Sequence, residues 1–409
     1  MNIIICGCGK IGTTLVASLV EEGHNITLID SDAAVVDQMQ NIYDVIGIIG
    51  NAADCDVLRE AGVEDASLFV AASGSDETNM LACFLAKRMG AKHTIARIRN
   101  PQYNSSSLVF LRQQLDLSMA INPDLLAAQE LYNILKFPSA IKIESFSRRD
   151  FEMIEIRLKP DSPLDGMSLL EMRAKYNAKV LICAVQRDSE VFIPGGDFVL
   201  HSGDRVGLTA APTEVLKFFK ALNVYQKQAR DVILLGGSRV AFYLANLLTA
   251  SGTAVKLIDR DPAVCQMFSD ELPKVNVILG DGAKQELLLE EGIKDAEAFV
   301  ALTGMDEENI LTGVLANSYQ VPKVIVKVNR EELISMAENL GLDTIISPPR
   351  IISDVLIRYA RALNNSLGSN VETMYNLMDG KAEALEFRVS ADFPFLNVPL
   401  RNMKFKKIS

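Results

Sequence analysis

The sequence predicts an α/β fold made of two doubly wound parallel-sheet domains, each followed by a small α+β subdomain, the second of which is truncated. Three observations predict it. The chain repeats itself, each copy opens with a strand, a glycine turn and a helix, and the segment between the copies changes to an alternation with period two.

The internal repeat is the strongest signal. Residues 3–30, IIICGCGKIGTTLVASLVEEGHNITLID, return at 232–259 as VILLGGSRVAFYLANLLTASGTAVKLID, an offset of 232 − 3 = 229. Residues 60–80 return at 290–310. Short β-branched runs alternate with amphipathic stretches of helical length, which is typical of βαβ units in a parallel sheet covered on both faces. Each copy is therefore predicted to be a Rossmann-like domain.

The other segments complete a repeated order of large and small units. Period-two alternation, turn dipeptides and one short helix predict the small subdomain. The last stretch begins that unit again and stops about halfway, so we expect it to be incomplete, partly disordered or completed by another chain. The predicted units are Rossmann-like domain 1 (1–122), a crossover helix and connection (123–150), small subdomain 1 (151–222), Rossmann-like domain 2 (231–347), a second crossover helix (348–366) and the incomplete subdomain 2 (371–409).

A proline-opened helix follows each Rossmann-like copy. Asn122 precedes Pro123 and Ser347 precedes Pro348, a good N-cap residue followed by proline at the first helical position. The apolar side chains of both helices spread over more than one narrow stripe. We therefore expect each helix to pack against more than its own domain.

Charge and hydropathy argue against two classes of protein. The 409 residues include 52 acidic and 41 basic side chains, a net charge of -11, which disfavours general binding to nucleic acid. No uninterrupted apolar run approaches the roughly 18 residues of a membrane span. The apolar start has no basic segment and runs directly into a glycine turn, which predicts a first strand rather than a signal peptide and hence a cytosolic protein.

The six cysteines and three histidines do not form a metal-site pattern. The cysteines are scattered through apolar segments without a CxxC pair, and Cys6 and Cys8 lie where small residues are needed for packing. We interpret them as buried thiols in a reducing compartment. No metal site is predicted.

A glycine motif joins the first strand to the first helix and comprises Gly7, Cys8, Gly9, Lys10, Ile11 and Gly12. The three glycines permit a tight turn, the approach of a pyrophosphate, and close packing of helix on strand. The phosphates then lie on free N–H groups at the helix start. Asp30 is placed to bind ribose hydroxyls and repels a 2′-phosphate, which favours NAD(H) or an adenine nucleotide over NADP. A glycine turn without a ligand is the alternative.

The second copy carries an eroded motif, consisting of Gly236, Gly237, Ser238, Arg239, Val240 and Ala241. Ser238 replaces the glycine over which the pyrophosphate passes and crowds the phosphates, whereas alanine is permitted at the third position. Asp259 keeps the ribose-binding position. The sequence leaves open whether this site binds a nucleotide more weakly, binds one with fewer phosphates, or binds none.

Two arginines on one strand add to the first site. Arg97 and Arg99 lie two residues apart, so their side chains point to the same face. Paired guanidinium groups suit phosphate recognition, on the same nucleotide or across a subunit boundary. A solvated strand face is the alternative, and the second copy weakens the pattern to Lys327 and Asn329.

Short polar loops follow the fourth strand of each copy, at the sheet edge where such folds hold ligands. These loops begin with Ser73-Gly74 and Thr303-Gly304. The acidic and amide side chains that follow either contact the ligand or cap the next helix, and we favour capping for Asp76, Asn79, Asp306 and Asn309.

The groups needed for hydride transfer are missing. Such an enzyme needs a general acid or base beside the nicotinamide. None of His24, His93 and His201 has a convincing active-site context, and no Tyr-x-x-x-Lys follows either Rossmann-like unit. The sequence predicts no catalytic residue and no enzyme, with an NAD-dependent oxidoreductase as the alternative.

As a whole, the pattern resembles the peripheral regulatory subunit of the bacterial Trk potassium-uptake system, built from two RCK (regulator of potassium conductance) units. The segments MNIIICGCGKIG, LREAGVEDA, SDETNM, IARIR and INPDLLAAQELYNIL are similar to its first-half signatures, and the match covers nearly the whole chain. The eroded second glycine turn and the incomplete last subdomain depart from the family pattern.

The resemblance implies a cytosolic ring, a homotetramer assembled through dimers, on the inner face of the membrane beneath an integral potassium-translocating subunit of the Trk type. NAD(H), or alternatively ATP and ADP, would shift the conformation of the ring. The implied nucleotide contacts are Gly7 to Ile11, Asp30, Ser73, Gly74 and Arg97, and less directly Gly236 to Val240, Asp259, Asp281, Thr303 and Gly304.

We expect the charge of the bound nucleotide to supply the differential affinity for two states of the ring. Arg97 and Arg99 would sense that charge across a dimer interface formed partly by the helix at 124–136. A soluble nucleotide sensor without a membrane partner is a further alternative, and no nucleic-acid partner is expected.

Overall fold

Two parallel sheets, one in each half of the chain, confirm the predicted α/β class. The computed structural model describes residues 1–100, 103, 105–145, 152–188, 190–225, 227–365, 371–378, 381–387, 389, 396 and 398–399.

The first domain alternates strands and helices throughout. Its elements are β1 (Asn2–Cys6), α1 (Lys10–Glu21), β2 (Asn25–Asp30), α2 (Ala33–Ile42), β3 (Ile46–Ile49), α3 (Cys55–Glu60), β4 (Leu68–Ala71), α4 (Asp76–Met89), β5 (His93–Arg97), α5 (Ser105–Gln114) and β6 (Met119–Ile121). All strands run parallel in the order β3-β2-β1-β4-β5-β6, with Ile5 opposite both Leu28 and Val70. The order reverses between β1 and β4, so the glycine turn after β1 lies at the switch point where doubly wound sheets bind ligands.

Helix α6 (Pro123–Lys136) leads from this domain to an antiparallel one. The small domain contains β7 (Lys142–Ser145), β8 (Glu152–Arg157), α7 (Leu169–Tyr176), β9 (Leu181–Arg187), β10 (Glu190–Phe192), β11 (Arg205–Ala210) and α8 (Pro212–Ala221). Its strand order is β10-β9-β11-β8-β7. β7 lies in the segment assigned above to the connection, so the sheet of the small domain begins before residue 151.

The second large domain repeats the first. Its sheet has the order β14-β13-β12-β15-β16-β17, and all its strands are parallel. Its elements are β12 (Asp231–Leu235), α9 (Arg239–Ala250), β13 (Ala254–Asp259), α10 (Pro262–Glu271), β14 (Val275–Leu279), α11 (Gln285–Glu290), β15 (Ala298–Ala301), α12 (Asp306–Ser318), β16 (Lys323–Lys327), α13 (Glu331–Asn339), β17 (Ile345–Ile346) and α14 (Pro348–Asn365).

The two proline-opened helices are exchanged between the large domains. Leu131 of α6 is fully buried in the core of the second domain with Leu244 of α9. Ile352 and Leu356 of α14 are buried in the core of the first domain with Leu15 of α1. Each helix thus completes the core of the other half, which confirms the expectation that it packs beyond its own domain.

The last described strands form a hairpin on the small domain. It consists of β18 (Val371–Leu377) and β19 (Ala382–Phe387). Met378 packs against Met153 and Ala184, and its N–H donates to Glu155 Oε1 at 3.1 Å. Beyond the hairpin, most of the predicted segment 371–409 lies outside the described residues.

Among the described residues, no helix is both long and apolar enough to cross a bilayer, and no group of three or more His, Cys, Asp or Glu side chains could hold a metal ion. Cys6, Cys8, Cys83 and Cys265 are buried, as predicted, whereas Cys55 is exposed and Cys183 is half-buried, so the prediction was wrong for these two. Burial raises the pKa of the Cys8 thiol to about 12, so this thiol stays protonated at neutral pH.

Candidate functional site

The first glycine turn leaves an open approach to the start of α1. Gly7 has a φ of +91°, and a Cβ there would lie 2.6 Å from the backbone N of Ser73. A Cβ on Gly12 would collide with the carbonyl oxygen of Gly7, so helix and strand can approach only because this residue is glycine. Gly9, the N-cap, provides no side-chain cap and has open space above it. The first amides of α1 are therefore free to bind an anion.

Asp30 lies beside this turn, at the end of β2. Its Oδ2 accepts the N–H of Cys8 at 2.6 Å and its Oδ1 accepts the N–H of Asp32 at 3.0 Å. These two bonds fix the carboxylate next to the glycine motif. Each oxygen keeps a further lone pair, which can accept a hydroxyl hydrogen bond.

Arg97 and Arg99 both reach the loop after β4. Arg97 Nη2 donates to the carbonyl of Ser73, and Arg99 Nη2 donates to that of Gly74 at 2.9 Å. The Nε–H group of each arginine is buried and has no partner among the described residues. Burial, with repulsion from Arg99, lowers the pKa of Arg97 to about 10. Two partly buried guanidinium groups whose hydrogen bonds, among the described residues, go to neutral carbonyls are suited to bind a phosphate instead.

A cavity of about 300 Å³ lies between the two large domains, where both glycine motifs and both exchanged helices meet. We call it the central pocket. It is lined by Lys10, Ile11, Arg97, Arg99, Pro123, Asp124, Ser238, Val240, Lys327, Asn329, Pro348 and Pro349.

The central pocket is electropositive. Its described lining has four cationic side chains, from both domains, and one carboxylate, Asp124. Burial raises the pKa of Asp124 although the surrounding cations oppose this, and burial lowers the pKa of Lys327. Because the cationic groups are partly desolvated, an entering polyphosphate gains stronger attraction than it would in water.

The second glycine turn is partly closed by its own side chain. Gly236 repeats the left-handed turn with a φ of +93°. Ser238, however, is the N-cap of α9, and its hydroxyl accepts the N–H of Ala241 at 3.4 Å. That hydroxyl lies where the first copy has open space, so it competes with a phosphate for the first turn of the helix.

The remaining second-copy residues lie together around a cavity of about 270 Å³. Asp259 accepts the N–H of Gly237 at 2.5 Å and that of Asp261 at 2.8 Å, as Asp30 does in the first copy. The predicted residues that line this cavity are Gly236, Gly237, Ser238, Asp259, Asp281, Thr303 and Gly304. Val240 lines the central pocket instead, and Arg239 begins α9.

The comparisons with known proteins show the family of this chain. The TrkA-N domain family matches residues 3–123 and 232–348, and the TrkA-C domain family matches residues 153–223. A Trk system potassium uptake protein TrkA homolog of Archaeoglobus fulgidus is 33% identical over 91% of this chain and 84% of its own length. The chain belongs to the TrkA family. The TrkA protein of Vibrio alginolyticus is 31% identical over 94% of the chain and 83% of its own length.

Solved structures show the same fold. The GsuK RCK domain superimposes on this TrkA-family chain with a TM-score of 0.68 at 17% identity, covering 91% of this chain and 79% of that one. The GsuK channel bound to NAD superimposes with a TM-score of 0.65 at 18% identity, covering 91% of this chain and 66% of that one. GsuK bound to ADP superimposes with a TM-score of 0.54 at 15% identity, covering 89% of this chain and 69% of that one.

The prediction of helix caps after the fourth strand was wrong for this TrkA-family chain. Ser75 caps α4, and Met305 occupies the N-cap position of α12. Asp76 instead accepts the N–H groups of Arg99 and Asn100 at 2.9 and 2.8 Å. Asp306 and Asn309 bind the corresponding backbone of the second domain.

The amide of Asn79 joins the two strand ends of the first site. It binds both the N–H and the carbonyl of Ser73, at 2.8 and 3.2 Å, and donates to the carbonyl of Arg97 at 2.9 Å. These buried polar groups therefore hold the loops of the TrkA-family fold in place, a role that local capping rules do not reveal.

One pocket shared by both halves of the chain was not predicted from the sequence. Asp124, the second residue of α6, is the carboxylate of the central pocket. The available signal was the repeat itself, because Pro349 stands at this position in the second copy. The two helix starts therefore differ in charge, because the first has an aspartate where the second has a proline.

All three histidines of this TrkA-family chain lie away from the glycine turns. His93 starts β5, at the amino end of the sheet, and its Nδ1 is 3.4 Å from the hydroxyl of Tyr359. His24 precedes β2, and His201 lies 3.7 Å from Asp165 in the small domain. Since ligands bind at the carboxyl edge of such sheets, these imidazoles are not placed to act on a bound nucleotide.

Proposed function

We propose that this chain is a nucleotide-responsive regulatory subunit of a Trk-type potassium-uptake system. The observation that carries the proposal is the central pocket, where cationic side chains of two domains meet beside an open glycine turn. Membership of the TrkA family supports the link to potassium uptake. The structures of GsuK bound to NAD and to ADP support the class of ligand.

The first glycine turn is the principal nucleotide site in this proposal. The pyrophosphate lies over Gly9 on the free amides of α1, and the ribose hydroxyls bind Asp30. A carboxylate at that position favours NAD(H), ATP or ADP over NADP. The second turn binds a nucleotide more weakly because the hydroxyl of Ser238 already accepts the N–H of Ala241.

In this proposal, the charge of the bound nucleotide changes how the two large domains are arranged around the central pocket. Phosphates that enter the central pocket draw Arg97 and Arg99 away from the carbonyls of Ser73 and Gly74 and attract Lys327 from the second domain. A ligand shifts a conformation only by its differential affinity for the two states. The number of phosphates supplies that difference here, and the exchanged helices α6 and α14 carry it to both domains.

The same proposal includes the assembly and location predicted above: a homotetrameric ring on the inner face of the membrane, beneath the potassium-translocating subunit. The dimer interface expected at helix 124–136 is replaced, within one chain, by the contact of α6 with α9. Contacts between chains then need other surfaces. The exposed apolar side chains of Phe110 on α5 and Leu311 on α12 support such contacts.

Calorimetric titration of the full chain with NADH, NAD and ATP tests the ligand. We expect one strong site per chain, abolished by Asp30→Ala and retained by the matched variant Asp259→Ala. No binding of any of the three ligands would remove nucleotide gating. Consumption of NADH with a small substrate would favour the oxidoreductase.

Potassium flux into vesicles that contain a Trk-type membrane subunit and this chain tests the partner. Flux should change on addition of the nucleotide that binds in the calorimeter and should not respond with Asp30→Ala. A chain that binds nucleotide but neither associates with the membrane subunit nor alters flux is a sensor without a membrane partner.

A further inference from the structure

A buried lysine lies far from both glycine turns. Lys323 is the first residue of β16, at the amino end of the strand, and is only 7% exposed. Its Nζ donates to the carbonyl of Ala140 at 2.6 Å, its one hydrogen bond among the described residues. An ammonium group has three donors, so two remain for another acceptor. Burial lowers the pKa of Lys323 to about 7.

This lysine lines a cleft between the small domain and the second large domain. The cleft has a volume of about 480 Å³, within the range of small-molecule sites. Its wall presents both polar and apolar surface, and the apolar part comes from both domains, including Ile141, Ile156, Val224, Val321 and Val324. The cleft can therefore surround an apolar molecular body of modest size.

Among the described residues, no ion pair joins the buried Lys323 to a carboxylate, although Asp343 is near enough to act on its pKa. Arg157 of the small domain pairs with Asp343 of the second domain, with Nε 3.0 Å from Oδ1. Lys159 and Asp161, both exposed, add opposite charges to the same lining. Within the described part of the chain, the ammonium of Lys323 is bound to one neutral carbonyl, and an anion would satisfy its remaining donors.

We propose that this cleft binds a small organic anion, with its carboxylate, phosphate or sulfonate group on Lys323 and its apolar body against the walls. The site goes beyond the nucleotide function, because Lys323 and the pocket-lining Lys327 lie at opposite ends of β16. An occupant touches both domains and holds the small domain against the second large domain. The chain thereby has a ligand-binding site separate from the glycine turns.

The test uses 4-methylbenzenesulfonate as the probe, because its charge stays constant between pH 6 and 8. Its binding to the full chain is followed by ligand-observed NMR, with saturating ATP present to occupy the nucleotide site. The neutral isostere 4-methylbenzenesulfonamide is the matched ligand control. We expect the sulfonate to bind and the sulfonamide to bind at least tenfold more weakly.

Two lysine variants locate the probe. Lys323→Met should abolish binding, whereas Lys327→Met, which alters the other end of the same strand, should leave it intact. Arg157→Gln, on the opposite wall, should weaken binding because it leaves the carboxylate of Asp343 unpaired. A circular-dichroism melt of each variant confirms that it folds. Binding that survives Lys323→Met, or that is lost only in Lys327→Met, overturns the proposal, as does the absence of binding at millimolar probe.

The pH dependence gives an independent readout. With a lysine pKa of about 7, the protonated fraction falls about tenfold between pH 6 and pH 8, and the affinity should fall with it. The other ionisable groups that line the cleft are Arg157, Lys159, Asp161, Tyr225 and Asp343. A pH-independent affinity that Lys323→Met also leaves unchanged would show that Lys323 does not hold the anion.

Discussion

The hydroxyl of Tyr243 donates a hydrogen bond of 3.1 Å to the carbonyl oxygen of Arg99, 144 residues earlier in the chain. The same hydroxyl accepts from Nδ2 of Asn122 at 3.0 Å, and Asn122 caps α6. A side chain of the second domain thus fixes both the loop that carries an arginine of the central pocket and the start of an exchanged helix. The two halves of the chain meet through this contact at the proposed phosphate site.

Tyr243→Phe should loosen this link without altering the apolar packing. Loss of one partly buried hydrogen bond costs about 1 kcal/mol, which for a domain of this size lowers the midpoint of thermal unfolding by about 2–4 °C. Hydrogen exchange should become faster at the amides of residues 98–100. The matched control is Tyr132→Phe, whose ring packs against the same core. Equal effects of the two variants would contradict a specific role for the hydroxyl of Tyr243.

Exchanging the serine and the glycine at equivalent positions of the two turns should strengthen nucleotide binding at the second turn and weaken it at the first. Ser238→Gly removes the hydroxyl that occupies the N–H of Ala241 and should strengthen nucleotide binding at the second site by about tenfold, at a cost of only a few tenths of a kcal/mol in helix capping. Gly9→Ser should weaken the first site by a similar factor. Calorimetric stoichiometry in an Asp30→Ala background isolates the second site. If Ser238→Gly leaves that site unchanged, the serine is not what weakens it.

Arg97→Ala should keep adenosine binding and remove the discrimination between ATP and ADP. A charge-assisted hydrogen bond contributes about 1.5–3 kcal/mol, so the preference between the two nucleotides should fall by tenfold or more. Competition titrations measure that ratio directly, with Arg88→Ala on the last turn of α4 as the control. An unchanged ratio would show that Arg97 does not sense the terminal phosphate.

Asp124→Asn should raise the affinity for the most highly charged nucleotide severalfold, because it removes the carboxylate from a cationic pocket. Burial raises the pKa of Asp124 in the folded chain, so the native state binds that proton more tightly than the unfolded state. The stability cost of this carboxylate is therefore absent below about pH 4 and grows as the pH rises.

Thermal unfolding of the Asp124→Asn variant checks that sign. The variant should melt above the parent chain at pH 7 and together with it near pH 4. A variant that melts lower at pH 7 would show that ion pairs with the surrounding cations outweigh desolvation at this carboxylate.

The local features of the fold could be predicted from the sequence because they depend on residues close together in the chain. Hydrophobic periodicity and the repeat at 3–30 and 232–259 specify both parallel sheets. Gly7 and Gly12 specify the turn, since a Cβ at either position would collide with the backbone of Ser73 or of Gly7. The apolar surface of α6 and α14 required partners outside their own domains, and both helices have them.

Only the tertiary structure decided which surfaces those residues face. The apolar stripe of α6 requires a partner but does not name one, and only packing places Leu131 against the second domain. Asp124, Lys10 and Lys327 are distant in sequence, so their common pocket depends on how two domains meet. Asp76 and Asn79 are residue types that often cap helices. Here they bind backbone groups of other loops instead, because buried backbone groups need hydrogen-bond partners. Periodicity and turn chemistry act over a few residues, whereas a shared pocket is a property of the assembled chain.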